Sequence, residues 1–254
     1  GRIEMAREVR EADAIVNLAK LKTHSQMLLT LGVKNTFGCI VGLRTPQWHM
    51  RSGVDRHLFA RLLVQIHCAV NPVLTLVDGV TALEGQGPGK SGLPRELGLL
   101  AAGRSAFSVD AAVCRLLGIP RHDLPILAAA RDLGIPISPD VNAEIETVAD
   151  FRLPEQGTLL FGPRLFQGVM RRHVTQRPQP DREACRMCGE CWKLCPARAI
   201  TPRDKTLIID YNACIRCYCC IEVCPHGTMQ AVETPVGRLV GRLFLGGRTS
   251  AGPH

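Results

Sequence analysis

Nine of the chain's twelve cysteines lie between Cys185 and Cys224, and eight of them keep a spacing suited to redox chemistry. Cys185-Arg186-Met187-Cys188-Gly189-Glu190-Cys191-Trp192-Lys193-Leu194-Cys195-Pro196 and Cys214-Ile215-Arg216-Cys217-Tyr218-Cys219-Cys220-Ile221-Glu222-Val223-Cys224-Pro225 are two copies of C-x2-C-x2-C-x3-C-P. Three thiolates at this spacing let one loop wrap three corners of an iron-sulfur cubane, while the fourth, on the helix that follows, reaches the neighbouring cluster. The spacing predicts two 4Fe-4S clusters, one on Cys185, Cys188, Cys191 and Cys224, the other on Cys214, Cys217, Cys220 and Cys195. The chemistry expected is oxygen-sensitive transfer of one electron per cluster at low potential, with hopping between the two. Structural zinc sites pair two C-x2-C knuckles without the third cysteine and the trailing Cys-Pro, and a disulfide framework needs an oxidising compartment. Cys219 competes with Cys220 as third ligand, but only Cys220 reproduces the first copy's spacing.

A second candidate constellation lies near the front, in Asn17-Leu18-Ala19-Lys20-Leu21-Lys22-Thr23-His24. An extended chain puts Lys20, Lys22 and His24 on one face, where two cations could hold a carboxylate or phosphate and His24 could move a proton. The same residues read equally well as solvent-facing side chains leaving a sheet. Lys34-Asn35-Thr36-Phe37-Gly38 adds a cation and an amide, and Asp78-Gly79 follows a predicted strand, where open α/β sheets present functional side chains. The candidate catalytic residues are therefore His24, Lys22 and Asp78, and the candidate substrate-binding residues Lys20, Lys22, Lys34, Asn35, Glu84 and Asp110. Glu84-Gly85-Gln86-Gly87-Pro88-Gly89-Lys90-Ser91-Gly92 is not a Walker A motif, because Glu84 stands where the first glycine belongs; it is either an anion-wrapping loop or a plain turn. Asp110 reads most simply as a carboxylate matched to a helix dipole.

The elements that must position these residues are of two kinds. Ahead of residue 177, short apolar runs alternate with helical patterns: strands at 14–18 and 73–77, a helix at 56–69 stopped by Asn71-Pro72, a helix from an N-cap at Ser108 to Leu117, and one at 124–133 closed by Gly134 and Pro136. This order predicts a layered α/β domain over 1–177. Arg177-Pro178-Gln179-Pro180-Asp181 reads as an extended connector. The duplicated cysteine run, with a strand at 206–210 between its copies, predicts a small α+β ferredoxin-like domain over 178–235, leaving a tail at 236–254. The tail has apolar and basic character for an amphipathic helix, weakened by two glycines.

Composition narrows the partners. The net charge is +8, but the arginines and lysines are scattered without interleaved aromatics, so no nucleic acid is expected and the basic excess suits an acidic redox partner. No apolar run approaches the roughly 18 residues of a transmembrane segment, and the first residues lack a signal peptide's apolar core, which predicts a cytoplasmic protein. The chain opens without methionine, so the natural protein is expected to begin further upstream.

The rear segment resembles the bacterial two-cluster ferredoxins from about Pro180 to Glu233, which implies electron carriage between partners or within a larger enzyme. The front segment resembles the family called domain of unknown function 362. That resemblance is carried in order by residues 17–24, Lys34-Asn35-Thr36-Phe37-Gly38-Cys39, Val77-Asp78-Gly79, Glu84-Gly85-Gln86-Gly87-Pro88 and Ser108-Val109-Asp110-Ala111. Members often carry a C-terminal pair of 4Fe-4S motifs, which implies one architecture here and a functional role for Lys20, Lys22 and His24. The sequence departs from the family in lacking a segment ahead of residue 17 and in having Ala19 where proline is common. Two functions follow as alternatives. One is an iron-sulfur oxidoreductase acting on a small anionic substrate held by the front domain; the other is a non-catalytic electron carrier or docking subunit of a larger oxidoreductase.

Overall fold

The computed structural model describes residues 3–41, 55–88, 92–138, 146–154 and 172–244. The chain divides into two compact units, Gly1–Glu155 and Gln156–His254.

In the first unit a short helix α1 (Glu8–Glu11) precedes strands β1 (Val16–His24) and β2 (Leu28–Thr30), helix α2 (Gly32–Asn35), helix α3 (Arg56–Val70), strands β3 (Leu74–Gly85) and β4 (Gly92–Gly103), and helices α4 (Ala106–Leu116) and α5 (Pro125–Asp132). The sheet order is β2-β1-β3-β4, with β1 and β3 parallel and the outer pairings antiparallel. Period-two alternation along β1 buries Asn17, Ala19, Leu21 and Thr23, and the helices cover that face. The helix α3 contributes Phe59, Leu63, Ile66 and Val70, a stripe at helical spacing. It starts at Asp55, whose carboxylate accepts the Leu58 N–H, and stops at Asn71, in the left-handed region at φ 47°, as Asn71-Pro72 predicts. On the opposite face Val16, Leu18 and Leu100 are exposed.

Two expectations need correction in this unit. The N-cap of α4 is Ser105, which accepts the Ser108 N–H at 3.3 Å; Ser108 lies inside the helix and its hydroxyl accepts the Ser138 N–H. The glycine-rich stretch has strand only at its ends, Glu84 opposite Leu93 and Gly85 opposite Gly92; Gln86, Gly87 and Pro88 lie between the strands, and Gly89, Lys90 and Ser91 lie outside the described residues.

The second unit contains strand β5 (Arg177–Pro180), helix α6 (Glu190–Lys193), strands β6 (Ile200–Arg203) and β7 (Thr206–Ile209), helix α7 (Cys219–Glu222), strand β8 (Met229–Val232) and helix α8 (Pro235–Phe244). β6 and β7 form a hairpin, and β5 pairs antiparallel with β8. The stretch read as a connector is thus extended as expected but serves as a strand, since prolines 178 and 180 are tolerated at the edge of a two-stranded sheet. The described part of the tail lies in helix α8, Pro235–Phe244, despite its glycines. Gly237 donates its N–H to the Thr234 hydroxyl at 3.0 Å, and a Cβ there would strike the Val174 carbonyl, so glycine is what lets the helix sit this close. Among the described residues no helix is long and apolar enough to cross a membrane.

Candidate metal centres and the polar end of the sheet

The duplicated runs fold alike because each places the same two positions in the left-handed region. Met187 (φ 52°) and Gly189 (φ 99°) flank Cys188, and Arg216 (φ 59°) and Tyr218 (φ 59°) flank Cys217, so each loop curls its three cysteines inward. The short helices α6 and α7 then carry the chain to Cys195 and Cys224, one residue beyond the helix C-caps.

Two cavities result. One, of about 330 Å³, is lined by Cys185, Cys188, Cys191 and Cys224; the other, of about 320 Å³, by Cys195, Cys214, Cys217 and Cys220. Each has three cysteines from one loop and the fourth from the exit of the other copy's helix. The Cys195 sulfur accepts the Ala199 N–H at 3.3 Å, and the Cys224 sulfur lies 3.5 Å from the Thr228 hydroxyl. Burial raises the Cys224 thiol, but its hydrogen bond with Thr228 and the nearby backbone N–H groups outweigh it and hold the thiol below its ordinary value. Burial, and then the neighbouring Cys185, pushes the Cys191 thiol up to about 11. Burial raises Cys220 well above its ordinary value, with Cys217, Cys214, Cys191 and Cys195 adding to it. Thiolates crowded in this way need positive charge among them.

The donor set fits a cubane and not a single ion. A tetrahedral zinc with Zn–S of about 2.3 Å would draw its sulfurs to within about 4 Å of one another. Among the described residues no three Cys, His, Asp or Glu side chains converge for a single ion. None of the twelve cysteines is in a disulfide. Cys219, adjacent to Cys220, lines neither cavity.

The front candidates are divided by the fold. Lys20 lies on the exposed face of β1 and donates to Asp78 at 2.7 Å; this hydrogen bond, with one from the Val80 N–H, holds the Asp78 carboxyl below its usual range. Lys22 is half-buried, opposite Thr30 on one side and Leu83 on the other. From Lys20 to Lys22 β1 advances two residues while β3 advances five, from Asp78 to Leu83, so β3 bulges between two paired levels. A second irregularity, between Gly79 and Thr81, lies beside it in the pairing with β4. His24, at the end of the strand, is fully buried, and its Nδ1 accepts the N–H groups of Gln26 and Met27 at 3.1 and 3.2 Å. With Nδ1 an acceptor, the neutral ring carries its proton on Nε2. The side chain thereby ties down the turn between β1 and β2.

Asn35 and Asp110 belong to a different arrangement. Asp110, with no exposed surface, accepts the N–H groups of Gly32 at 2.8 Å and Val33 at 3.1 Å. Burial pushes its carboxyl up to about 7, while those two hydrogen bonds pull the other way. Asn35 donates to the Asn17 side chain and to the Leu18 carbonyl, and Asn17 donates to the Gly32 carbonyl and the Thr75 hydroxyl. This network staples α2 to β1, β3 and α4. A Cβ on Gly32 would lie 2.5 Å from the Thr75 methyl group, so only glycine fits there. The half-buried Lys34 sits over the Phe37 ring at 5.9 Å. Glu84 is buried, accepts the Arg152 N–H at 3.1 Å and lies within 4 Å of the Arg95 and Arg152 guanidinium groups. Asn17, Arg95 and Arg152 escaped the sequence reading, because their partners lie 11 to 68 positions away.

Residues 1–115 match the family described as Domain of unknown function (DUF362), and residues 177–225 match the 4Fe-4S dicluster domain. The thylakoid-associated protein sll1697 of Synechocystis sp. is 41% identical over 133 residues, 52% of this chain and 41% of that protein. The electron transport protein HydN of Escherichia coli is 40% identical over 60 residues, 22% of this chain and 34% of HydN. Hydrogenase-4 component A of Escherichia coli is 39% identical over 49 residues, 18% of this chain and 24% of its own length. The chain thus spans less than half the length of each of these relatives. The second unit is a ferredoxin-like domain that binds 4Fe-4S clusters, and the relatives matching about a fifth of the chain are named as an electron transport protein and a hydrogenase component.

Proposed function

We propose that this chain, which joins a DUF362 domain to a 4Fe-4S dicluster domain, holds two 4Fe-4S clusters and passes electrons singly between a redox partner protein and the chemistry its partners or front unit carry out. The observation that carries this is the pair of cavities, each lined by three cysteines of one loop and one of the other. Cys185, Cys188, Cys191 and Cys224 would hold one cluster, and Cys195, Cys214, Cys217 and Cys220 the other, supplying one-electron redox chemistry at low potential. The unpaired cysteines suit a reducing compartment, and with it a cytoplasmic address. The cluster domain would occupy about 178–235, behind a front domain ending near 177. The test is an anaerobic redox titration of the reconstituted full-length chain, followed by electron paramagnetic resonance with iron and sulfide analysis. About eight irons and two interacting low-potential signals are expected. Clusters that form but resist reduction would make them structural and end this proposal.

A second reading, an enzyme acting on a small anion, is favoured by the bulge of β3 beside Lys20 and Lys22, at the carboxyl end of a parallel strand pair. Lys20, Lys22 and Asp78 are the side chains available there. The engagement of His24, Asn35, Glu84 and Asp110 within the fold favours the first reading, a carrier. Lys22→Ala separates the two: an enzyme loses turnover or protection by anions such as phosphate with its clusters intact, whereas a carrier loses at most affinity for a partner.

A further inference from the structure

The duplicated loops are equivalent in sequence spacing and unequal in cover. In the first, Cys188 is exposed and Cys185 and Cys224 are half-buried, with Arg186, Met187, Trp192 and His226 at the cavity. In the second, Cys214, Cys217 and Cys220 are exposed by only 9%, 7% and 8%. Cys191 of the first site is as buried, and Cys195 of the second is half-buried, so the difference in cover lies at Cys185 and Cys188. Aligning the repeats shows what closes the second. Tyr218 stands where the first copy has Gly189, Arg216 where it has Met187, and Tyr211 where it has Arg182.

Of these, Tyr218 lines the second site, Tyr211 bonds to its wall and Arg216 stacks on Tyr211. Tyr218 lines the second cavity, is 6% exposed, and donates its hydroxyl to the Gln176 carbonyl at 2.8 Å. Tyr211 donates to the carbonyl of Pro178, another residue of the cavity wall, at 3.0 Å. The Tyr211 ring meets the guanidinium groups of Arg177 at 4.8 Å and of Arg216, itself 1% exposed, at 5.1 Å. A tyrosine at φ 59° is in a conformation glycine adopts more readily, so the position carries tyrosine at a backbone cost. The anchored hydroxyl offsets that cost and holds the ring in place.

Resting on the reading that both sites hold 4Fe-4S clusters, we infer that the two play different parts. The site of Cys185, Cys188, Cys191 and Cys224 is the port through which electrons enter and leave the unit, and the site of Cys195, Cys214, Cys217 and Cys220 is an inner store shielded by Tyr211, Arg216 and Tyr218. Electronic coupling falls steeply with distance, so an external carrier reaches the exposed Cys188 edge far more readily than the covered one. Each passage oxidises a one-electron carrier protein and reduces the port site by one electron, or the reverse. The inner site then exchanges with the port across the interlocked loops.

The experiment uses the reconstituted full chain, with iron counted first and the reduced protein then oxidised in a stopped flow by hexaamminecobalt(III), a substitution-inert one-electron acceptor. Gly189→Tyr combined with Met187→Arg transplants part of the cover onto the first site. At φ 99° a side chain at 189 strains the backbone, and its Cβ meets the flexible end of Lys193 at 3.0 Å and the Trp192 ring at 3.3 Å. In protein whose iron count matches the parent, this pair of changes should slow oxidation at least tenfold. Tyr218→Gly should leave the rate within about twofold of the parent. An unslowed Gly189→Tyr, Met187→Arg protein, or a Tyr218→Gly protein several-fold faster than the parent, overturns the inference. Unmodified protein supplies a second measurement. In its oxidised form a ferrous chelator with reductant should remove half of the iron in a fast phase and half slowly, and release in a single phase overturns the inference. Iron far short of about eight per chain means instead that the reading beneath it has failed.

Discussion

The two units hold themselves together by different means. In the first, 31 buried apolar residues among those described form one core, and the buried polar groups Asn17, Thr75 and Asp110, with the more exposed Asn35, satisfy one another and the backbone of α2. In the second, the buried apolar cluster numbers seven residues, two of them the cysteines Cys191 and Cys220, between two-stranded sheets and single-turn helices. A core that small contributes too little to offset the ordering of some 60 residues, so small domains of this kind draw stability from bound metal. The first unit is a scaffold whose buried polar residues are tied into the fold; the second is organised around two groups of four cysteines.

The sharpest way to break that contrast is to remove the iron. Chelation should abolish slow hydrogen exchange across β5 to β8 while leaving β1, β3 and α3 protected, and equal protection of both units in the apo protein would refute the comparison. Next in size, Cys220→Ser should cost the second cluster, about half of the iron, whereas Cys219→Ser should retain it all, read by iron and sulfide analysis. Within the first unit, Asp110→Ala leaves two buried N–H groups without their acceptor and should lower stability by about 3 kcal/mol in a denaturant titration.

A smaller effect is carried by pH. The folded state holds a proton on Asp110 up to about pH 7, one the unfolded chain releases near 3.9, so this group's contribution falls as pH rises from about 4 to about 7. His67, buried against Phe107 and 3.3 Å from the Thr36 hydroxyl, is pushed down to about 4 by burial. Its contribution falls in the opposite direction, as pH drops from about 6.5 to about 4. The two slopes oppose one another, so the first unit's stability should vary little over this range. His67→Gln should leave Asp110 alone, with protection in β1 and α4 rising as pH is lowered from 7 to 5; an unchanged or falling profile would show that Asp110 is ionised throughout. Smallest of all, Lys20→Ala should return the exposed Asp78 carboxyl towards its usual range in an NMR titration, with the fold unaffected.

Much of this was legible in the chain. The cysteine spacing, the α3 stripe with its Asn71-Pro72 stop, and the alternation of β1 are local patterns whose physics acts within a few residues. The strand β4 was not legible: Pro94, Gly98 and an alanine-glycine end have low strand propensity, and only pairing with ten residues of β3 makes it extended. His24 was legible as a chemical group and misleading as a site, because alternation places it beside Lys20 and Lys22 while the turn after β1 encloses it.

Which atoms can bind iron, and in what grouping, could be read from the residues, because ligand type and short-range spacing are written there. Which polar groups stay available could not, since folding settles it. Asp110 meets Gly32 across 78 positions, and Tyr218 meets Gln176 across 42. Burial and partnership over such distances are set by which surfaces pack together, and no local pattern encodes them.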